Sequence, residues 1–179
     1  MSDIIQLKNP RTELYNQFKS VIRQNNFVWG YNERNDVRAT PHMLTHGFIG
    51  RPTKDIKYPQ VMSDGAKFAY DVLEEILNYN DIEHYCYYRI NLNMVYPQAG
   101  NQQTPLHVDH WDNDVVKASF PHWNMLVYFS NEGKTLLENE EHDPKEDDVI
   151  IFPGLPHCQE IPKNDMRMIL IATCVTARD

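Results

Sequence analysis

His107, Val108 and Asp109 form a His-x-Asp tripeptide; His157 follows after a long gap, and Arg167 ten residues after that. Two imidazoles and one carboxylate on one face of a metal leave three coordination positions open, an arrangement suited to Fe(II) and oxygen chemistry. In an extended strand, residues i and i+2 project from the same face, so His107 and Asp109 can grip one ion together. The third ligand, His157, then has to arrive on a different strand. Arg167 supplies a permanent cation with a forked donor set, suited to the far carboxylate of a dicarboxylic co-substrate.

Each element is unspecific alone. With eight histidines in the chain, a His-x-Asp tripeptide is also what an ordinary surface strand carries. His157 ends the run DDVIIFPGLPH, in which an acidic turn leads into an apolar strand and a Phe-Pro-Gly-x-Pro corner; this places it at the mouth of a core. Arg167 opens the apolar run RMILIATCV, where a charge wants a partner or must snorkel to solvent. His110 follows Asp109 directly and on a strand points to the opposite face, so neither it nor His122 or His142 is assigned to the metal. Cys158, beside His157, is read as a small residue facing away.

Two segments have helical periodicity. Thr12 to Asn25 carries Leu14, Phe18, Val21 and Ile22 at helical spacing, with Pro10 just before it. Ser63 to Asn78 carries Ala66, Ala69, Tyr70, Leu73, Ile76 and Leu77 on one side, with Ser63 as N-cap. Residues 27–62 have little periodicity and read as a long irregular cover over a site. From Cys86 onward the pattern is that of strands: CYYRINLNMVY, TPLHVDHW, WNMLVYF, KTLLE, DVIIF and RMILIATCV, separated by turn chemistry. In the first of them Ile90, Leu92, Met94 and Tyr96 share one face, and Arg89, Asn91 and Asn93 the other. Short strands without intervening helices predict a mainly β (α+β) fold, a barrel or jelly roll with supporting N-terminal helices. The expected organisation is one domain over residues 1–179, with 1–80 as helical support and loop cover and 81–179 as the core.

Hydrophobic residues at 41% and aromatics at 11% describe a globular chain. A formal net charge of -8 disfavours a sequence-independent grip on nucleic acid. Three cysteines without a CxxC pair fit a reducing compartment. No secretory leader is visible, and no apolar run approaches the roughly 18–20 residues that span a bilayer. A cytoplasmic protein is expected.

Jointly, from Tyr88 to Val175, the motifs resemble the 2-oxoglutarate- and Fe(II)-dependent dioxygenases, particularly the prolyl-hydroxylase-like branch and small phage-borne versions of it. The resemblance rests on VYPQAG before HVD, on LVYFSNEGKT, on DDVIIFPGLPH and on the Arg167 spacing. It implies a double-stranded β-helix of cupin-like architecture, with His107, Asp109 and His157 as iron ligands and Arg167 pairing with the C5 carboxylate of 2-oxoglutarate. Tyr96 and Tyr128 are implied as further co-substrate contacts, although alternation leaves open whether Tyr128 or Phe129 points inward. The implied partners are Fe(II), 2-oxoglutarate, O2 and a substrate C–H, with a prolyl or other protein side chain as the first candidate. Two departures concern the co-substrate: Ile169 stands where the family often has Ser, and Glu132-Gly133-Lys134-Thr135 keeps one glycine of Gly-Gly-x-Thr. Trp29, Tyr31, Arg34, Arg38, His42 and His46, together with the insert HWDNDVVKASFPHW, are candidates for the cover. The competing expectations are a cupin-like metalloprotein without 2-oxoglutarate, which usually draws three histidines and a glutamate from its strands, and a non-catalytic β binding module.

Overall fold

The structure, a computed structural model, describes residues 2–32, 42–53, 55–99, 103–111 and 115–176. Arg34, Arg38 and residues 112–114 of the 110–123 insert lie outside them. In chain order the elements are β1 (Ile5–Leu7), α1 (Glu13–Ile22), β2 (Gly30–Asn32), β3 (Met43–Gly50), β4 (Gln60–Val61) and α2 (Ala66–Tyr79). Then come β5 (His84–Val95), β6 (Trp123–Tyr128), β7 (Thr135–Leu137), β8 (Glu141–His142), β9 (Val149–Pro153), β10 (His157–Gln159) and β11 (Arg167–Thr176). The larger sheet has the order β1-β9-β6-β11-β5-β3-β2, with β4 paired to β3, and the smaller one β10-β7-β8. Both are antiparallel, and neighbours far apart in sequence, such as β11 between β6 and β5, give the winding of a jelly roll.

Strand alternation sorts the core. On β11, Met168, Leu170, Ala172 and Cys174 face the helices, while Ile169 and Ile171 face the interior with Leu126, Tyr128, Ile150 and Phe152. A strand buried on both faces needs no polar side, which is why RMILIATCV is almost unbroken. The β5 strand alternates: Ile90, Leu92 and Met94 meet the helices, and Arg89, Asn91 and Asn93 line a cavity. Tyr128 and Phe129 thereby divide, Tyr128 inward and Phe129 toward the helices.

The helices cover the outer face of the large sheet. Thr12 caps α1, its hydroxyl accepting from the Tyr15 N–H at 3.1 Å, and Tyr15, Phe18 and Ile22 form its buried stripe. Phe18 meets Phe48, Phe68 and Phe129 with ring centroids 5.3–6.0 Å apart; such a ring contributes about 1.5–3 kcal/mol by leaving water. No helix among the described residues is long and apolar enough to cross a membrane.

Three local expectations change. Helix α2 starts at Ala66, not Ser63, because the Ser63 carbonyl closes a three-residue turn onto the Ala66 N–H at 3.1 Å. The Ser63 hydroxyl bonds His46 Nε2 instead, at 3.0 Å, and Tyr70 stands 37% exposed rather than on the buried side. The described residues of 27–62 are not an irregular cover: they supply β2, β3 and β4, so the first 80 residues contribute to the large sheet. Alternation in β3 is hidden because Thr45 and Gly47 line the cavity and a register shift follows Gly47. TPLHVDHW forms no strand among its described residues, only an isolated bridge at His107.

One acidic turn ties the first half of the chain to the core. The Asp147 carboxylate accepts from the Tyr15 hydroxyl and from Lys19 Nζ, both at 2.6 Å, with Arg11 Nε at 3.5 Å. Burial opposes its ionisation, yet Lys19, Tyr15 and Arg11 together hold its carboxyl below the usual carboxylate range. Asp147 sits at φ 72°, a region that Asn also tolerates. Asp147→Asn should therefore preserve the turn while costing about 1–3 kcal/mol at neutral pH, measured by urea unfolding. A depressed folded-state pKa stabilises above the unfolded value of about 3.9, so the gap between wild type and variant should shrink as pH falls below about 4.

Candidate active site

Two short segments, 104–107 and β10, lie side by side and hold the candidate ligands. The His107 N–H donates to the His157 carbonyl at 3.0 Å, and the His157 N–H to the His107 carbonyl at 2.9 Å. Farther along, the Thr104 N–H donates to the Gln159 carbonyl at 2.9 Å, and the Gln159 N–H to the Thr104 hydroxyl at 3.0 Å. The imidazole centroids stand 4.7 Å apart.

Each imidazole is oriented the same way. His107 Nδ1 lies 2.9 Å from the Pro105 carbonyl and His157 Nδ1 lies 2.9 Å from the Leu155 carbonyl. A carbonyl only accepts, so Nδ1 carries the proton and Nε2 presents a lone pair. Burial lowers the His157 pKa, outweighing the attraction of Asp109, which favours the neutral, metal-binding form.

Asp109 is 4% exposed. Arg89 Nη1 donates to its Oδ1 at 2.9 Å, and Oδ2 lies 3.6 Å from His157 Nε2. Burial opposes ionisation of Asp109, but His157, Arg89, His107 and Arg51 hold the carboxyl well below the usual range. One donor atom from each of His107, Asp109 and His157 lies within 4.8 Å of the others. A distance such as 3.6 Å is within the span of two donors roughly 2.0–2.2 Å from one ion. Two neutral imidazoles and one carboxylate on one side of a cavity fit a divalent first-row metal with open positions.

The three residues line a cavity of about 280 Å³ that also contains Arg167, near the lower end of ligand pockets at roughly 300 Å³. Arg167 is 2% exposed. It donates to the Gly133 carbonyl at 2.9 Å, the Gln159 side-chain oxygen at 2.5 Å and the Thr135 hydroxyl at 3.0 Å, and stacks over Tyr128 at 5.6 Å. Among the described residues no carboxylate lies within ion-pair distance of it. Burial pushes its pKa down, but a guanidinium remains charged. A buried cation held by neutral groups and opening onto a cavity has the chemistry to pair with an anion.

No protein-family model matches the chain, and no curated protein matches it significantly. Solved structures do. An oxidoreductase of the 2OG-Fe(II) oxygenase family from Burkholderia pseudomallei superposes with a TM-score of 0.63 at 11% identity, over 97% of this chain and 85% of that one. The viral collagen prolyl hydroxylase of Paramecium Bursaria Chlorella virus-1, solved as a 2OG complex, gives 0.57 at 14% identity, over 98% and 97%. A Pseudomonas putida prolyl-4-hydroxylase gives 0.55 at 11%, over 97% and 92%. The fold is that of the 2OG-Fe(II) oxygenases.

On this oxygenase fold the four sequence-predicted residues His107, Asp109, His157 and Arg167 come together around one cavity. Tyr128 lies beneath it, buried, its hydroxyl 2.7 Å from Thr135 Oγ1. Tyr96 stands apart: it follows the end of β5, is 51% exposed and is not part of the cavity wall. Cys158, expected to face away, contributes to the wall, and burial raises its thiol pKa. His110 and His122 pack on Phe120, outside the cavity wall, and His142 packs on Tyr128. Trp29, Tyr31, His42 and His46 do not line the cavity; Arg51 and Trp111 do, with the guanidinium 5.7 Å from the indole.

Sequence reasoning missed the roles of Arg89 and Gln159, and named Gly133 only as what remains of a Gly-Gly-x-Thr motif. Gln159 had a signal, being two residues beyond His157 on one strand face. Gly133 has φ +78°, and a Cβ there would lie 2.4 Å from Arg167 Cδ, so the guanidinium rests on the glycine itself. Gly133→Ala should cost about 1–3 kcal/mol through strain and displacement of Arg167. Gly47→Ala, whose Cβ would find its nearest neighbour at 3.7 Å, should change stability by about 0.5 kcal/mol or less. Urea unfolding of both variants checks the contrast.

Proposed function

We propose that this protein is an Fe(II)- and 2-oxoglutarate-dependent dioxygenase that couples oxidative decarboxylation of 2-oxoglutarate to hydroxylation of a substrate C–H. The observation that carries this is the joint presence, in one cavity, of a two-histidine, one-carboxylate cluster and a buried arginine without a carboxylate partner among the described residues. His107, Asp109 and His157 hold the iron; bound there, Fe(II) supplies activation of O2 in company with the 2-oxo acid. Arg167 receives the distal carboxylate of 2-oxoglutarate.

Thr135 supplies the hydroxyl that Ile169, standing in the place of a serine, does not. Its oxygen lies in reach of both Arg167 Nη2 and the Tyr128 hydroxyl; with both as donors, the Thr135 proton is left for the ligand carboxylate. Leu126, Ile169 and Ile171 form an apolar part of the wall and keep water from the reacting atoms. Asn91 and Asn93, joined at 2.6 Å, offer polar groups on the β5 side. The primary substrate is a protein side chain, prolyl first, a choice that rests on the prolyl hydroxylases among the structures of like fold. Three free cysteines support a cytoplasmic setting.

Arg167→Ala should weaken 2-oxoglutarate binding by about 2–4 kcal/mol, roughly thirtyfold or more, with far less effect on metal affinity. Calorimetry of the Mn(II)-loaded protein measures both. Equal co-substrate affinity in the variant removes Arg167 from this role, and succinate release stimulated by prolyl peptides identifies the substrate class.

A further inference from the structure

A carboxylate that ligates through both oxygens takes two coordination positions and leaves two of six open beside two imidazoles; through one oxygen it leaves three. At Asp109 the two oxygens are already distinguished. Oδ1 accepts from Arg89 Nη1 at 2.9 Å, whereas Oδ2 lies on the imidazole side, 3.6 Å from His157 Nε2. Arg89 is fixed on β5, paired opposite Thr173 of β11 in the middle of the large sheet. The two side chains are 21% and 6% exposed, so their hydrogen bond is poorly screened. The His107–Asp109 segment belongs to no named strand, so the Arg89 bond ties the carboxylate to the large sheet.

We propose that Arg89 is a positioning residue that restricts Asp109 to a single metal-binding oxygen, keeping the third coordination position open. The proposal rests on the triad being a metal centre, but on neither the co-substrate nor the reaction. Arg89 acts on the metal only through Asp109, as an outer partner that orients a ligand.

Co(II) is the probe, because its ligand-field spectrum reports coordination independently of turnover. The full chain, Arg89→Gln and Arg89→Lys are titrated with Co(II), and their thermal midpoints are measured without metal. Arg89→Gln should bind Co(II) about 10–100-fold more weakly with a changed ligand-field band; Arg89→Lys, which keeps the charge, should fall between it and wild type. If Arg89→Gln does not fold, the weakened affinity and changed band are sought in Arg89→Lys. Wild-type affinity and an unchanged band in a folded variant, whatever its thermal midpoint, would overturn the proposal. Wild-type protein that binds no Co(II), or binds it equally well after His157→Ala, would overturn the metal centre itself.

Discussion

The reciprocal backbone hydrogen bonds between His107 and His157 are the constraint on which the site depends. They join a segment outside any named strand to β10 of the smaller sheet and bring two imidazoles fifty residues apart in sequence to a centroid separation of 4.7 Å. With the Thr104–Gln159 pair they make a short ladder whose one end carries the metal donors. The other end carries Gln159, which holds Arg167. The His107–Asp109–His157 cluster and the Gln159 that holds Arg167 are thus placed by the same few backbone bonds.

Around this ladder the fold divides its labour by strand alternation. The outer face of the large sheet is packed against α1 and α2 and gives the scaffold its rigidity. The inner face changes character along the sheet order: apolar at β9, β6 and β11, polar at β5 and β3, where the cavity opens. Charge is placed sparingly. Arg89 balances Asp109, while Arg167 is surrounded by a carbonyl, a carboxamide, a hydroxyl and an aromatic face. Its charge therefore stays available for an incoming anion, and Gly133 provides the close approach that seats it.

The legible parts of the sequence were those where periodicity and chemistry coincide. The alternation of β5, the unbroken β11 and the two amphipathic helices follow from how many faces each element buries. The meeting of His107, Asp109, His157 and Arg167 around one cavity was legible from their joint order along the chain, since no one of them is specific alone. Strand β3 was not, since Thr45 and Gly47 face a cavity rather than water and a register shift breaks the repeat. Tyr96, which the resemblance implies as a co-substrate contact, follows the end of β5 at Val95, stands 51% exposed and lies outside the cavity wall. Arg89 touches Asp109 from a strand distant in sequence, and no spacing rule marks a contact of that kind; Gln159 was marked only by standing two residues beyond His157 on one strand.

The most direct test is anaerobic addition of Fe(II) and then 2-oxoglutarate to the purified protein, followed by visible absorption. A metal centre whose open positions accept the 2-oxo acid, with Arg167 across the cavity, predicts a weak charge-transfer band at one equivalent of each, absent in His157→Ala. No band in the wild type, or the same band in that variant, would contradict it.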